Sequence, residues 1–360
     1  MKLRRFLVLG LMFVLVANLA KSQSFSNKEI SFQYTDGKIT YGGILSLPAS
    51  KKPVAAVVIV SGTGKQDRDG LMAGHKIFLE LADSLAANGY AVLRTDDRGV
   101  GKTTGVYETS TTSDFASDAL RAVDFLKTVK AINPAKIGLM GHSEGGMAIS
   151  IAAAQSQDID FLISLSGLAM NGFDALIKQN EDLVAASKMP EYDKERSNKI
   201  NSLMFATALK YADATNMEEK LNQTYQSWKV KDDAYFKTLG IEFDHFRFPV
   251  YSYVKFAVSP WYRYFVRYNA AEILYKVKVP ILAINGSRDL MVAPKENLRN
   301  WKELPLAGGN KDVTTMEFED LNHLLLPCEV CDTAEIPKIK GGISPKVIAL
   351  ILKWLKQETK

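Results

Sequence analysis

Ser143 stands between His142 and Glu144 in the stretch GLMGHSEGGMA (138–148). Gly141 lies two residues before it, and Gly145 and Gly146 two and three after. G-x-S-x-G between a strand and a helix is the pattern of a nucleophile elbow, a strained turn that exposes a serine hydroxyl. Such a turn has no room for flanking Cβ atoms, which accounts for Gly141 and Gly145. Gly146 allows the helix to pack close to the sheet. The apolar run KIGLM (136–140) supplies the strand, and residues 144–155 supply the helix. The helix N-terminus then faces the reaction centre, and the Glu144 backbone N–H is placed to donate to a developing oxyanion. A chance glycine-rich turn would carry the same five letters, so the serine is read together with its partners.

A serine nucleophile needs a base and a group that orients the base. The chain has four histidines: His75, His142, His245 and His323. His142 is too local to reach back to Ser143. His75 falls near a helix start, and His245 falls in an aromatic segment. His323, in EDLNHLLLP, directly follows the last predicted strand, where a side chain overhangs the carboxyl edge of a sheet. Asp289 follows VPILAINGSR at the end of another strand. Alone, Asp289 reads equally as a turn residue and His323 as a helix cap. Together with the elbow they give the chain order Ser143, Asp289, His323, which separates this arrangement from the chymotrypsin and subtilisin orders. The second oxyanion donor is expected from the loop SGTG after the strand at 54–60. There we assign the Thr63 N–H, with Gly62 as the neighbouring alternative.

The elements that must hold these residues are legible as alternation. VAAVVIV (54–60), YAVLRT (90–95), KIGLM, FLISLSG (161–167), VPILAING (279–286) and VTTMEFE (313–319) are short runs rich in apolar and β-branched residues, separated by helical patterns. Strands of this kind alternating with helices predict a mostly parallel sheet covered on both faces. The segment ahead of residue 54 predicts antiparallel edge strands. The last helix is predicted from Ser344 as N-cap, with Pro345 in first position, to Trp354. Residues 169–278 break the rhythm and predict a helical insertion, so the core is expected to comprise 23–168 and 279–360. Within the insertion, eleven of the 26 residues from Phe243 to Tyr268 are aromatic. They read either as the core of a cap or as an apolar pocket over Ser143.

Lys2, Arg4 and Arg5 followed by the uncharged apolar run Phe6–Ala17 and then Ala20-Lys21-Ser22 predict a signal peptide spanning 1–22, hence an exported protein, periplasmic or secreted. The run is shorter than the ~20 residues that span a bilayer, so no stable membrane insertion is expected after cleavage. Cleavage would remove four of the positive charges behind the formal +5. What remains lacks the basic excess that nucleic-acid binding requires. Cys328 and Cys331 are the only cysteines. Their spacing suits a disulfide, free thiols or half of a zinc site, the last without a second pair to complete it.

Taken together, SGTGKQDRDG, DDRGVGKTTG, GHSEGG, NGSRDLMV and LNHLLLP resemble the bacterial serine esterases of the α/β-hydrolase superfamily that carry GHSEGG elbows, distant relatives of the prolyl-oligopeptidase group. The resemblance spans about residues 54–168 and 279–356. It implies an α/β-hydrolase fold and hydrolysis of carboxylic esters of small molecules, without metal or cofactor. The alternative on the same fold is a serine peptidase or amidase. Relatives that cleave peptides generally carry a large β-rich domain ahead of the core, and only about thirty residues stand between the predicted cleavage site and residue 54. A nucleotide-binding reading of GVGKTTG (99–105) fails because Asp96 occupies the position of the required first glycine. A non-catalytic binding protein fits poorly with a complete triad.

Overall fold

A computed structural model of the chain describes residues 25–33 and 37–360. The predicted signal peptide lies outside the described residues. In chain order the first elements are β1 (Phe25–Gln33), β2 (Thr40–Pro48), β3 (Val54–Val60), a two-stranded ribbon of β4 (Leu71–Met72) and β5 (His75–Lys76), α1 (Ile77–Ala87) and β6 (Ala91–Thr95). Next come α2 (Thr112–Lys127), β7 (Ile132–His142), α3 (Glu144–Gln155) and β8 (Leu162–Leu165). Six helices intervene before the sheet resumes: α4 (Gly172–Ala186), α5 (Glu191–Lys210), α6 (Met217–Thr238), α7 (Val250–Ala257), α8 (Pro260–Val266) and α9 (Ala270–Leu274). The chain closes with β9 (Ile281–Gly286), α10 (Pro294–Ala307), β10 (Val313–Phe318) and α11 (Pro345–Glu358).

Among the described residues the main sheet has eight strands in the order β1-β2-β6-β3-β7-β8-β9-β10. From β6 to β10 all pairings are parallel, and β1 and β2 join antiparallel at one edge. Strand β3 explains why both faces are covered. Its residues Ala56, Val58 and Val60 enter the core beneath α2 and α3, while Val57 and Ile59 enter the core beneath α1 and α11. Strand geometry sends alternate side chains to opposite faces, so an unbroken apolar run needs two apolar layers. The chain leaves β3 for β6 on one side and later returns to β7 on the other. This reversal puts the loops after β3 and β7 side by side at the carboxyl edge, where open parallel sheets form ligand crevices.

Two local expectations change. The final helix runs to Glu358 rather than Trp354, because Leu355 continues its buried stripe after Val347, Ile351 and Trp354. Ser344 sits at its N-cap, but its hydroxyl makes no capping bond; its N–H donates to the Leu325 carbonyl instead. Strand β8 ends at Leu165, since Ser166 takes a positive φ of 47° and turns the chain out of the sheet.

Candidate active site

Ser143 lies between β7 and α3 with φ 57° and ψ −121°. A non-glycine residue with positive φ is strained, and such strain persists only where surrounding structure enforces it. Here the enforcement is close packing of backbone. A Cβ on Gly145 would lie 2.5 Å from the Val60 carbonyl oxygen, and one on Gly141 would lie 2.2 Å from the Gly145 carbonyl oxygen. The elbow therefore presses against the end of β3. On the other side of the serine, a Cβ on Gly62 would come within 2.9 Å of Ser143 Cβ. The SGTG loop thus stands directly beside the hydroxyl.

Asp289 and His323 meet. Nδ1 of His323 lies 2.9 Å from Oδ2 of Asp289. The carboxylate also accepts from the Met291 and Val292 N–H groups at 2.8 and 2.9 Å and from Asn285 Nδ2 at 3.0 Å. Asp289 is only 3% exposed, and four donors fill its acceptor sites. A group that only accepts forces the proton onto His323 Nδ1, which leaves Nε2 as the free lone pair. No hydrogen bond joins the Ser143 hydroxyl to this ring, but both residues line one cavity of about 350 Å³. Gly62 and Thr63 line it as well. The Glu144 N–H is the first amide of α3, one of the four in a helix without an intrahelical acceptor. His75 and His245 lie elsewhere: His75 Nε2 bonds the Ile336 carbonyl oxygen, and His245 lines a separate cleft in the inserted helices.

The aromatic segment divides between its two readings. Tyr262 and its neighbours Phe246, Phe248 and Tyr253 pack into the core of the inserted helices. Phe256, Trp261 and Phe265 instead form one wall of the serine cavity, with Trp261 stacked on the other two at centroid distances of 5.3 and 4.9 Å. Helix α4 adds Ala175, Leu176 and Gln179 to the wall, and Gln179 reaches the Met291 carbonyl at 2.9 Å, just after Asp289. A larger cavity of about 730 Å³ lies between α5 and α6. None of Ser143, Asp289 and His323 lines it.

Charged side chains brace the loop beside the serine. Ser61 donates to Asp97 Oδ1 at 2.5 Å, and the Gln66 N–H donates to Asp97 Oδ2 at 2.8 Å, so one carboxyl holds both flanks of Gly62-Thr63-Gly64. Arg68 clamps Asp96 through Nε and Nη2 at 2.9 and 2.5 Å. Asp96 in turn accepts from the Lys102 N–H at 3.0 Å, inside the segment that mimics a phosphate loop. That segment is a turn folded on a carboxylate, which would repel phosphate.

Two side chains near the serine escape the sequence reading. Glu144 is 1% exposed and accepts from Thr63, Thr112 and Trp261. Its partners lie 32 to 117 residues away, so no local pattern announces them. His142, set aside as too local for Ser143, instead bonds the His323 backbone. The disulfide alternative holds for the cysteines: Cys328 and Cys331 are bridged.

With this geometry in place, residues 55–327 match the family described as the α/β-hydrolase fold. The chain belongs to the α/β-hydrolase family. This α/β-hydrolase is 26% identical over 333 residues to esterase EstD of Thermotoga maritima, a match covering 92% of this chain and 68% of that protein. Among solved structures it superimposes on an esterase of Pyrococcus furiosus with a TM-score of 0.55 at 17% identity, covering 94% of this chain and 93% of that one. It also superimposes on the α/β-hydrolase GrgF from a Penicillium species with a TM-score of 0.54 at 17% identity, covering 93% and 99%. Likeness at that identity carries the fold.

Proposed function

We propose that this hydrolase is a serine esterase that cleaves short acyl or aryl esters of small molecules through an acyl-enzyme. The observation that carries the reading is the Asp289–His323 pair at 2.9 Å sharing one cavity with the strained Ser143. Ser143 Oγ attacks the ester carbonyl while His323 Nε2 takes its proton. The tetrahedral oxyanion is met by the N–H groups of Thr63 and Glu144, and each such donor is worth roughly 2.7–4 kcal/mol of transition-state stabilisation. Collapse expels the alcohol with the proton from His323. Water, deprotonated by the same nitrogen, then releases the acid and restores the serine.

The inserted helices of residues 169–278 act as a lid over Ser143, with Phe256, Trp261 and Phe265 facing the acyl group. The cavity, about 350 Å³, is at the small end of small-ligand pockets, which supports short chains. Its aromatic wall has little to offer the polar groups of an extended peptide. The name of the Thermotoga relative agrees with ester chemistry. Export fits the basic-apolar start of the chain and the Cys328–Cys331 bridge, since disulfides persist in oxidising compartments.

The test is kcat/KM on p-nitrophenyl acetate, butyrate and longer esters, set against dipeptidyl and endopeptidase amide substrates. Short esters should be preferred. Efficient amide cleavage with negligible ester turnover would move the protein to the peptidase reading.

A further inference from the structure

We propose that the side chain of Glu144 is a positioning residue that ties the oxyanion loop to the aromatic wall of the substrate cavity, so that donor and wall hold one arrangement. The inference rests on the reading of Ser143 as nucleophile and Thr63 as oxyanion donor, and it concerns a side chain which that reading does not use.

Glu144 follows the serine directly, yet its carboxyl points away from solvent and gathers three separate elements. Thr63 Oγ1, from the loop after β3, donates to Oε2 at 2.8 Å. Thr112 Oγ1, at the start of α2, donates to Oε1 at 2.6 Å. Trp261 Nε1, from α8, donates to the same Oε1 at 2.7 Å. The indole N–H has no alternative role, since it only donates. Trp261 is also the middle ring of the stack with Phe256 and Phe265. An acyl group that seats against this wall therefore presses on a ring bonded to the carboxyl that holds Thr63.

The direction in which burial moves the Glu144 carboxyl suits the task. An ionised carboxylate beside a developing oxyanion would oppose it. Burial pushes the Glu144 carboxyl above its ordinary range, against the lowering effect of the Thr112, Trp261 and Thr63 bonds. A neutral carboxyl keeps all three contacts, because a threonine hydroxyl accepts as well as donates. Glutamine would do the same, its Oε1 accepting from Thr112 and Trp261 while Nε2 donates to Thr63. Methionine fills the space and makes none of these bonds.

The experiment measures kcat and KM of the full chain on p-nitrophenyl butyrate. Glu144→Met should lower kcat by ~10–100-fold with KM within about threefold, short of or comparable to losing one oxyanion donor outright. Glu144→Gln should recover most of that loss, which a simple need for a buried acid would not allow. Thr63→Val and Trp261→Phe should be non-additive in kcat by at least about threefold in the native background, and should become independent when Glu144 is methionine. Native-like kcat in folded Glu144→Met, or independent losses for Thr63→Val and Trp261→Phe with Glu144 present, would overturn the proposal. If Glu144→Met does not fold, the Thr63–Trp261 pair in the native background decides alone. Fluorophosphonate labelling of Ser143 separates the two levels: absent labelling in the native chain removes the nucleophile reading itself, whereas intact labelling with native kcat in Glu144→Met removes only the coupling.

Discussion

Nε2 of His142 lies 3.0 Å from the backbone carbonyl oxygen of His323. A carbonyl only accepts, so Nε2 carries the proton, and Nδ1 of the neutral ring is left without a partner among the described residues. Burial, reinforced by the neighbouring His323, lowers the His142 pKa to about 3 from 6.5. The residue before the proposed nucleophile thus steadies the backbone of the proposed base.

That burial, which outweighs the raising effect of the bond to the His323 carbonyl, makes the fold acid-sensitive in a defined window. The folded pKa lies below the unfolded one, so the unfolded chain binds the extra proton between pH 6.5 and about 3. The His142 contribution is full above pH 6.5 and is lost as pH falls toward 3. At pH 5 the loss is about 2 kcal/mol, at 1.36 kcal/mol per pH unit. Asp97 acts with the opposite sign, since burial pushes its carboxyl up to about 7 and its contribution declines as pH rises from 3.8 to 7. The clean measurement is therefore a difference: urea unfolding of native chain and His142→Phe at pH 5 and pH 8. The stability gap should be about 2 kcal/mol smaller at pH 5. A gap that does not change with pH would refute the buried neutral ring.

Ser143→Ala should abolish ester turnover and fluorophosphonate labelling while leaving the melting temperature near native, because the hydroxyl has no hydrogen-bond partner among the described residues. Losses on the order of 10⁶ in kcat accompany removal of a serine nucleophile. His323→Ala should be nearly as severe, and Asp289→Asn milder but still on the order of 10⁴. If His245→Ala were the crippling change, the base would lie elsewhere.

Asp97→Ala should release the Ser61 and Gln66 tethers and let the Thr63 loop drift from Ser143. The expected result is a kcat lower by ~10–100-fold, below or near the ~10²–10³ for deleting an oxyanion donor, with a smaller change in KM. Single-turnover acylation reads the effect directly. Native acylation in this variant would mean that the loop holds its shape unaided.

Reduction of the Cys328–Cys331 bridge should cost stability and spare activity. A four-residue loop is worth about 2 kcal/mol in the chain-entropy picture. The segment also hangs on Glu335, which accepts from the Glu329, Val330 and Cys331 N–H groups, and His323 has its own supports in Asp289 and His142. Treatment with dithiothreitol should lower Tm by a few degrees and leave kcat/KM within about twofold. A collapse of activity on reduction would make the bridge part of the base's positioning.

The local chemistry of this chain is written in its order of residues. Glycines at 141 and 145 leave room for a tight turn that any side chain there would block, apolar runs such as 54–60 dictate a sheet covered on both faces, and the placement of Asp289 and His323 just after strands puts both at the carboxyl edge. These features are legible because each depends on neighbours within a few residues. The sheet order is another matter. Only the placement of β3 between β6 and β7 brings Gly62 against Ser143, Thr63 against Glu144 and Ser61 against Asp97. Only the path of the inserted helices delivers Trp261 to Glu144 from 117 residues away, and only the return of the chain through β9 and β10 sets His323 on His142 from 181. Such contacts follow from how layers pack in three dimensions, and a buried acceptor takes whichever donor the packing delivers, whatever its distance along the chain.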